Sequence, residues 1–279
     1  MGARGAAAVN LLKPWTLVVG FCALLGGIGW LLNGYELLSI LVFCGLLLAL
    51  GLYWFADRIV LGLVGARELV QGEAPLLYST VERLALVAGV ARPKLHLIPD
   101  GFPRALSAGR GPRSSALVVS SGLLQALPPA ELEGVVAHEL AHAKQRDVLV
   151  QVCAVVIAVT LVEASRIGGW FQRALLFALG PVAAAFVHLL LSPKRELRAD
   201  RTAAELCGTP HGLAAALLRL EQASELVSFR ASAASEPLYT INPFEEEGLA
   251  ALFVTHPPVA ERVRRLRALD PEWKDSLAA

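Results

Sequence analysis

Two histidines four residues apart, with a glutamate directly after the first, stand in V-V-A-H-E-L-A-H-A-K-Q-R-D (residues 135–147). On a helix, positions i and i+4 share a face, so His138 and His142 can direct two imidazoles at one metal ion. Glu139 sits one residue on, close enough to address a water at that metal. Chance would produce H-E-x-x-H on the order of once in a hundred such chains, so the motif is suggestive rather than decisive. Its neighbours Val135, Val136, Ala137, Leu140 and Ala141 are apolar, several of them small, which implies a buried helix where an unligated histidine pair would be costly.

A catalytic zinc needs a third protein ligand and an open position. The stretch S-P-K-R-E-L-R-A-D-R-T-A-A-E-L-C-G (residues 192–208) offers Glu196 and Asp200, again spaced i, i+4. Glu196 could ligate directly, and Asp200 could accept a hydrogen bond from the other ring nitrogen of a ligating histidine. Lys194, Arg195, Arg198 and Arg201 surround them, so a solvated charged helix fits the same spacing; spacing alone leaves both readings open. Of the remaining histidines, His96 reads as an ordinary strand residue, His188 as a neutral intramembrane side chain bonded to a neighbouring helix, and His211 as a residue at a helix start.

The elements that must carry these groups are unusually apolar. The chain is 55% hydrophobic and 18% charged, with a mean hydropathy of +0.56, against about a quarter charged in a typical soluble protein. A net charge of +1 gives no reason to expect nucleic acid as a partner. The four cysteines, at 22, 44, 153 and 207, lack C-x-x-C spacing, so neither a disulfide framework nor a cysteine zinc site is suggested.

Residues 15–32 and 37–55 are two apolar runs, each near the ~20 residues that cross a bilayer. The first is too long for a signal-peptide core of roughly 7–15 residues, so a transmembrane hairpin around Asn33-Gly34 is expected. Residues 148–162 and 174–191 form a second candidate pair, with a buried helix pair as the alternative. Arg4, Lys13, Arg58, Arg67, Lys144, Arg146, Lys194, Arg195, Arg198 and Arg201 flank one side, against Arg166 and Arg173 on the other. Lysine and arginine favour the cytoplasmic side, so both termini and the polar segments are expected there. The layout is then a transmembrane hairpin over 1–56, a catalytic part with a small sheet over 57–147, a second membrane hairpin over 148–192 and a helical part over 193–279.

Within the first polar segment, Pro75 opens and Gly89 closes a helical pattern. K-L-H-L-I-P (residues 94–99) and A-L-V-V-S (residues 116–120) are short β-type runs. Pro128-Pro129 marks the start of the motif helix, with Glu131 and Glu133 placed to suit its dipole.

H-E-L-A-H, an apolar pair and then R-E-L-R-A-D resemble the HtpX family of membrane-embedded zinc metalloproteases, relatives of the CAAX prenyl proteases. The resemblance extends through S-S-G-L-L-Q-A-L-P-P-A-E-L-E-G-V-V-A-H-E-L-A-H (residues 120–142), I-N-P-F (241–244) and T-H-P-P-V-A-E-R-V-R-R-L (255–266), covering roughly residues 56–266. It implies a mainly α membrane protein with four transmembrane helices and a cytoplasmic zincin-like α/β catalytic domain. It implies one zinc per chain held by His138, His142 and Glu196, with Glu139 as general base. It also implies that His256 and Arg262 reach the active site, His256 helping to stabilise an oxyanion. The family's substrate-binding edge strand usually reads N-A-F-A-T-G, whereas here Arg104, Ala105, Leu106, Ser107, Ala108 and Gly109 stand in its place. Gln145 stands where the family often has Asn.

The reaction implied is hydrolysis of a peptide bond by water, with no covalent intermediate. There is no G-x-S-x-G elbow and no G-x-x-x-x-G-K-[ST], so ATP is not an expected partner. His142 and Glu196 both lie a few residues from an expected membrane boundary, which points to cytoplasmic loops or tails of membrane proteins as substrates. The resemblance points to unfolded or damaged membrane proteins. The alternatives are a CAAX-type prenyl protease, a non-catalytic scaffold with structural zinc, and a latent protease released by a partner or stress.

Overall fold

Prolines and glycines punctuate the chain where its backbone changes state. The computed structural model describes residues 3–148, 193–226 and 257–270, with the side chains of only part of its first helix. Helix α2 (Pro75–Ala88) begins at the proline, whose missing N–H costs nothing there, and ends at Gly89 in the left-handed region with φ +69°. The strands are β1 (Arg67–Glu68), β2 (Lys94–Ile98), β3 (Ala105–Gly111) and β4 (Ser114–Ser120), in the order β1-β2-β4-β3. β1 runs antiparallel to β2, β2 parallel to β4, and β3 antiparallel to β4. β3 is therefore an edge of a small mixed sheet.

Ser120 ends β4 and caps α3 (Ser121–Ala126) by accepting a 3.0 Å hydrogen bond from the Leu123 amide. Helix α4 (Pro129–Gln145) carries the histidine pair. It is followed among the described residues by α5 (Pro193–Cys207), α6 (His211–Leu226) and α7 (Val259–Arg267).

The sheet is covered on both faces, which explains why β4 reads as a continuous apolar run rather than an alternation. Ala105, Leu117 and Val119 join the main core with α2, α4, α5, α6 and α7. Leu106, Ala108 and Val118 point the other way, packing with Val60, Ile98, Ala143 and Val148. The main core draws on both polar segments, so they share one body. Helix α4 lies at its centre, surrounded by α2, β3, α5 and α6. Gly134 lets α6 approach: a Cβ there would fall 2.5 Å from the Leu213 nitrogen. Gly212 does the same from the other side, 2.3 Å from the Ala130 oxygen. Glu131 and Glu133 do more than suit the dipole of α4. Arg219 donates to Glu131 at 2.7 and 2.9 Å, and Arg83 pairs with Glu133 at 2.8 Å, pinning α4 to α6 and α2.

Helical residues run from Ala3 to Leu63 (α1), and the run doubles back. Gly34 takes a left-handed φ of +68°, and a Cβ on Gly26 would lie 3.0 Å from Val42 Cγ2. Residues that far apart on a straight helix would be separated by about 24 Å. Trp30 and Tyr35 pack edge to face across the bend, with ring centres 4.4 Å apart. Among the described residues no helix is long and apolar enough to cross a membrane. The second expected hairpin, from residue 149 onward, lies outside the described residues.

Candidate metal centre and its supporting residues

Helix α4 places His138 and His142 one turn apart on the side facing α5, and α5 turns Glu196 toward both. Their Nε2 atoms are 3.2 Å apart, and Glu196 Oε2 lies 3.5 Å from the first and 3.6 Å from the second. Donor atoms each about 2.0–2.1 Å from a tetrahedral zinc stand about 3.3–3.4 Å from one another, so this triangle has the size such an ion requires. All three side chains are buried. Burial opposes charge on His142, yet Glu196 and Asp147 outweigh it and push the imidazole up to about 10. Among the described residues no other group of three or more His, Cys, Asp or Glu side chains gathers in this way.

Each histidine has a carboxylate behind it. His138 Nδ1 is 2.9 Å from Asp200 Oδ1, within hydrogen-bonding distance. Arg262 grips that carboxylate with both ends of its fork, Nε to Oδ2 at 2.9 Å and a terminal nitrogen to Oδ1 at 2.7 Å. Burial works against ionisation of Asp200, but the Arg262 guanidinium prevails and holds the carboxyl down at about 2. Arg262, expected at the active site, therefore reaches it through Asp200, from α7. Behind His142, Asp147 Oδ2 lies 3.6 Å from Nδ1. Arg146 turns the chain there in the left-handed region, with φ +61°, just beyond the end of α4.

Glu196 and Asp200 lie on the buried face of α5 with Ala199 and Ala203, while Lys194 and Arg201 are exposed. The solvated-helix reading is thus excluded for this face. Arg195, also buried, stands 3.4 Å from Glu196 Oε1 and 3.9 Å from Asp147 Oδ2.

Glu139 is buried beside its histidine. Ser107 of β3 donates to Glu139 Oε2 at 2.8 Å and lies 3.0 Å from the Glu139 carbonyl oxygen. The strand expected over residues 104–109 is observed as Ala105–Gly111, at the sheet edge. Arg104 precedes it and pairs with Asp100 at 2.6 Å, so its side chain is engaged away from the strand. Gln145 donates to Thr202 Oγ1 at 3.1 Å, tying α4 to α5.

Other expectations fall elsewhere. His256 and His188 lie outside the described residues. His96 is a half-buried residue of β2 that burial makes harder to protonate, and it does not join the cluster. His211 opens α6, 2.8 Å from Asp270. Burial pushes the Cys207 thiol up to about 11, leaving it protonated. Ser107 was expected only as part of the edge strand, not against Glu139, and Asp147 was not singled out as a site residue. For Asp147 the signal was its place just past a helix ending in a ligand, whereas nothing local marks Ser107.

Residues 72–270 match Peptidase family M48. The chain is 38% identical over 279 residues to a Protease HtpX homolog of Pelotomaculum thermopropionicum, covering 94% of this chain and 99% of that one. It is also 38% identical over 275 residues to a Protease HtpX homolog of Pyrococcus abyssi, covering 92% and 95%. Among solved structures it is similar in fold to S. mikatae Ste24p, with a TM-score of 0.50 at 18% identity, over 95% of this chain and 66% of that one.

Proposed function

The chain belongs to peptidase family M48 and is a metalloendopeptidase, and from that premise we propose that it is a zinc enzyme of the cytoplasmic membrane that cleaves misfolded or damaged membrane proteins. The observation that carries the reading is the buried triangle of His138, His142 and Glu196 with Glu139 beside it. Three ligands and an adjacent carboxylate suit catalysis, where a structural site is normally closed by four. A zinc ion held there supplies Lewis acidity, lowering the pKa of water toward ~7 and polarising a carbonyl. Glu139 takes the proton of the attacking water and delivers it to the leaving amine. Asp200 and Asp147 orient the two imidazoles, and Arg262 keeps Asp200 ionised. His256 donates to the developing oxyanion. The edge of β3 receives the substrate as an added strand.

The membrane setting rests on the apolar runs. Phe43, Leu46, Leu47, Leu50 and Trp54 are exposed on α1, a continuous apolar surface that suits lipid better than water. The four apolar runs supply four spans, and the distribution of Lys and Arg puts the active site on the cytoplasmic side. The expected partners are the bilayer and unfolded or membrane-anchored polypeptides, without ATP or nucleic acid.

The deciding experiment is cleavage of an unfolded reporter by the detergent-purified, zinc-loaded full chain beside Glu139→Gln, with zinc content measured in both. The variant should keep its zinc and lose at least about 100-fold in kcat. Equal activity in the two would remove Glu139 from the mechanism, and zinc without activity in either would favour the scaffold reading. Cleavage of a prenylated peptide alone would favour the CAAX-type alternative.

A further inference from the structure

We propose that Ser107 is a positioning residue whose hydroxyl holds the Glu139 carboxylate in its working orientation; this rests on the reading of Glu139 as general base. The alternation of β3 fixes the direction of the side chain. Leu106 and Ala108 join the cluster that includes Val60. Ala105 faces the main core, and Ser107 shares its side, toward α4. Its Oγ lies 2.8 Å from Glu139 Oε2, across 32 residues of sequence, and both side chains are buried. A hydroxyl has one proton to give, and a carboxylate is a stronger acceptor than the carbonyl oxygen 3.0 Å away.

The bond settles the plane of the carboxylate inside the site before any water arrives. It also joins the base to the strand that would align a substrate, so the two are held in one register.

The test compares Ser107→Ala and Ser107→Thr with the parent in the full, detergent-purified chain. Alanine should lower kcat about 10-fold with KM and zinc content unchanged, and threonine, which keeps the hydroxyl, should recover most of the loss. A second readout needs neither zinc nor turnover. The infrared carboxylate band identified by subtracting Glu139→Gln from the parent should shift when the same subtraction is made in the Ser107→Ala background. Unchanged kcat in Ser107→Ala, an unshifted band, or equal losses in both variants with KM raised or zinc lost would overturn the proposal. Full activity in Glu139→Gln would instead sink the general-base reading, and this inference with it.

Discussion

The two imidazoles of the site are held from behind in different ways. His138 leans on Asp200 at 2.9 Å, and Asp200 is clamped at 2.7 and 2.9 Å by an arginine from another helix. His142 faces Asp147 at 3.6 Å, and Arg195 stands 3.9 Å from that carboxylate. The first arm is built from three helices and spans 62 residues between Asp200 and Arg262. The second is built locally, from the turn that ends α4. A short loop can bring a carboxylate close, but bidentate geometry needs a partner supplied by tertiary packing. The His138 arm is therefore clamped from a distant helix, while the His142 arm spans the longer distance between imidazole and carboxylate.

The comparison would break most visibly at Arg262. Its replacement by Met leaves Asp200 buried without its counter-charge, which should cost about 3–5 kcal/mol in unfolding experiments. Adding Asp200→Leu should recover much of that loss, because the charge then leaves with its partner. A single variant as stable as the parent would show that the clamp is not structural.

Zinc affinity sharpens the contrast. Asp200→Asn should weaken zinc binding by about 10–100-fold, read by competition with a chelator. Acid titration of the zinc-free protein isolates the same arm. The Asp200 carboxyl is depressed from an ordinary 3.8 to about 2. Its stabilisation is therefore fully present above about pH 4 and lost as pH falls through about 2, on the order of 2 kcal/mol. Asp200→Asn should flatten the melting temperature across that window. Asp147→Asn should show the smallest effect, about 10-fold or less in zinc affinity. Losses of equal size from Asp200 and Asp147 would mean that the two arms are equivalent despite their geometry.

Much of the centre was legible as spacing. His138, His142, Glu196 and Asp200 lie at i, i+4 on two helices, and a helix converts that interval into a shared face whatever surrounds it. Pro75, Gly89 and Pro129 marked element ends for an equally local reason: they lack an N–H or tolerate a left-handed backbone. The role of Arg262 was legible only in part, since a residue on α7 shows no trace in its own neighbours of a partner on α5.

Sequence by itself thus determined which residue types could ligate, which would share a helix face, and where helices would begin and stop, because those properties depend on nearest neighbours along the chain. Tertiary structure alone decided that α4 and α5 bring their faces within 3.6 Å of each other, and that Arg262 of α7 clamps Asp200 of α5. It also decided that Ser107 of an edge strand meets Glu139. These are contacts between segments distant in sequence, set by how the faces of helices and sheet pack into one core.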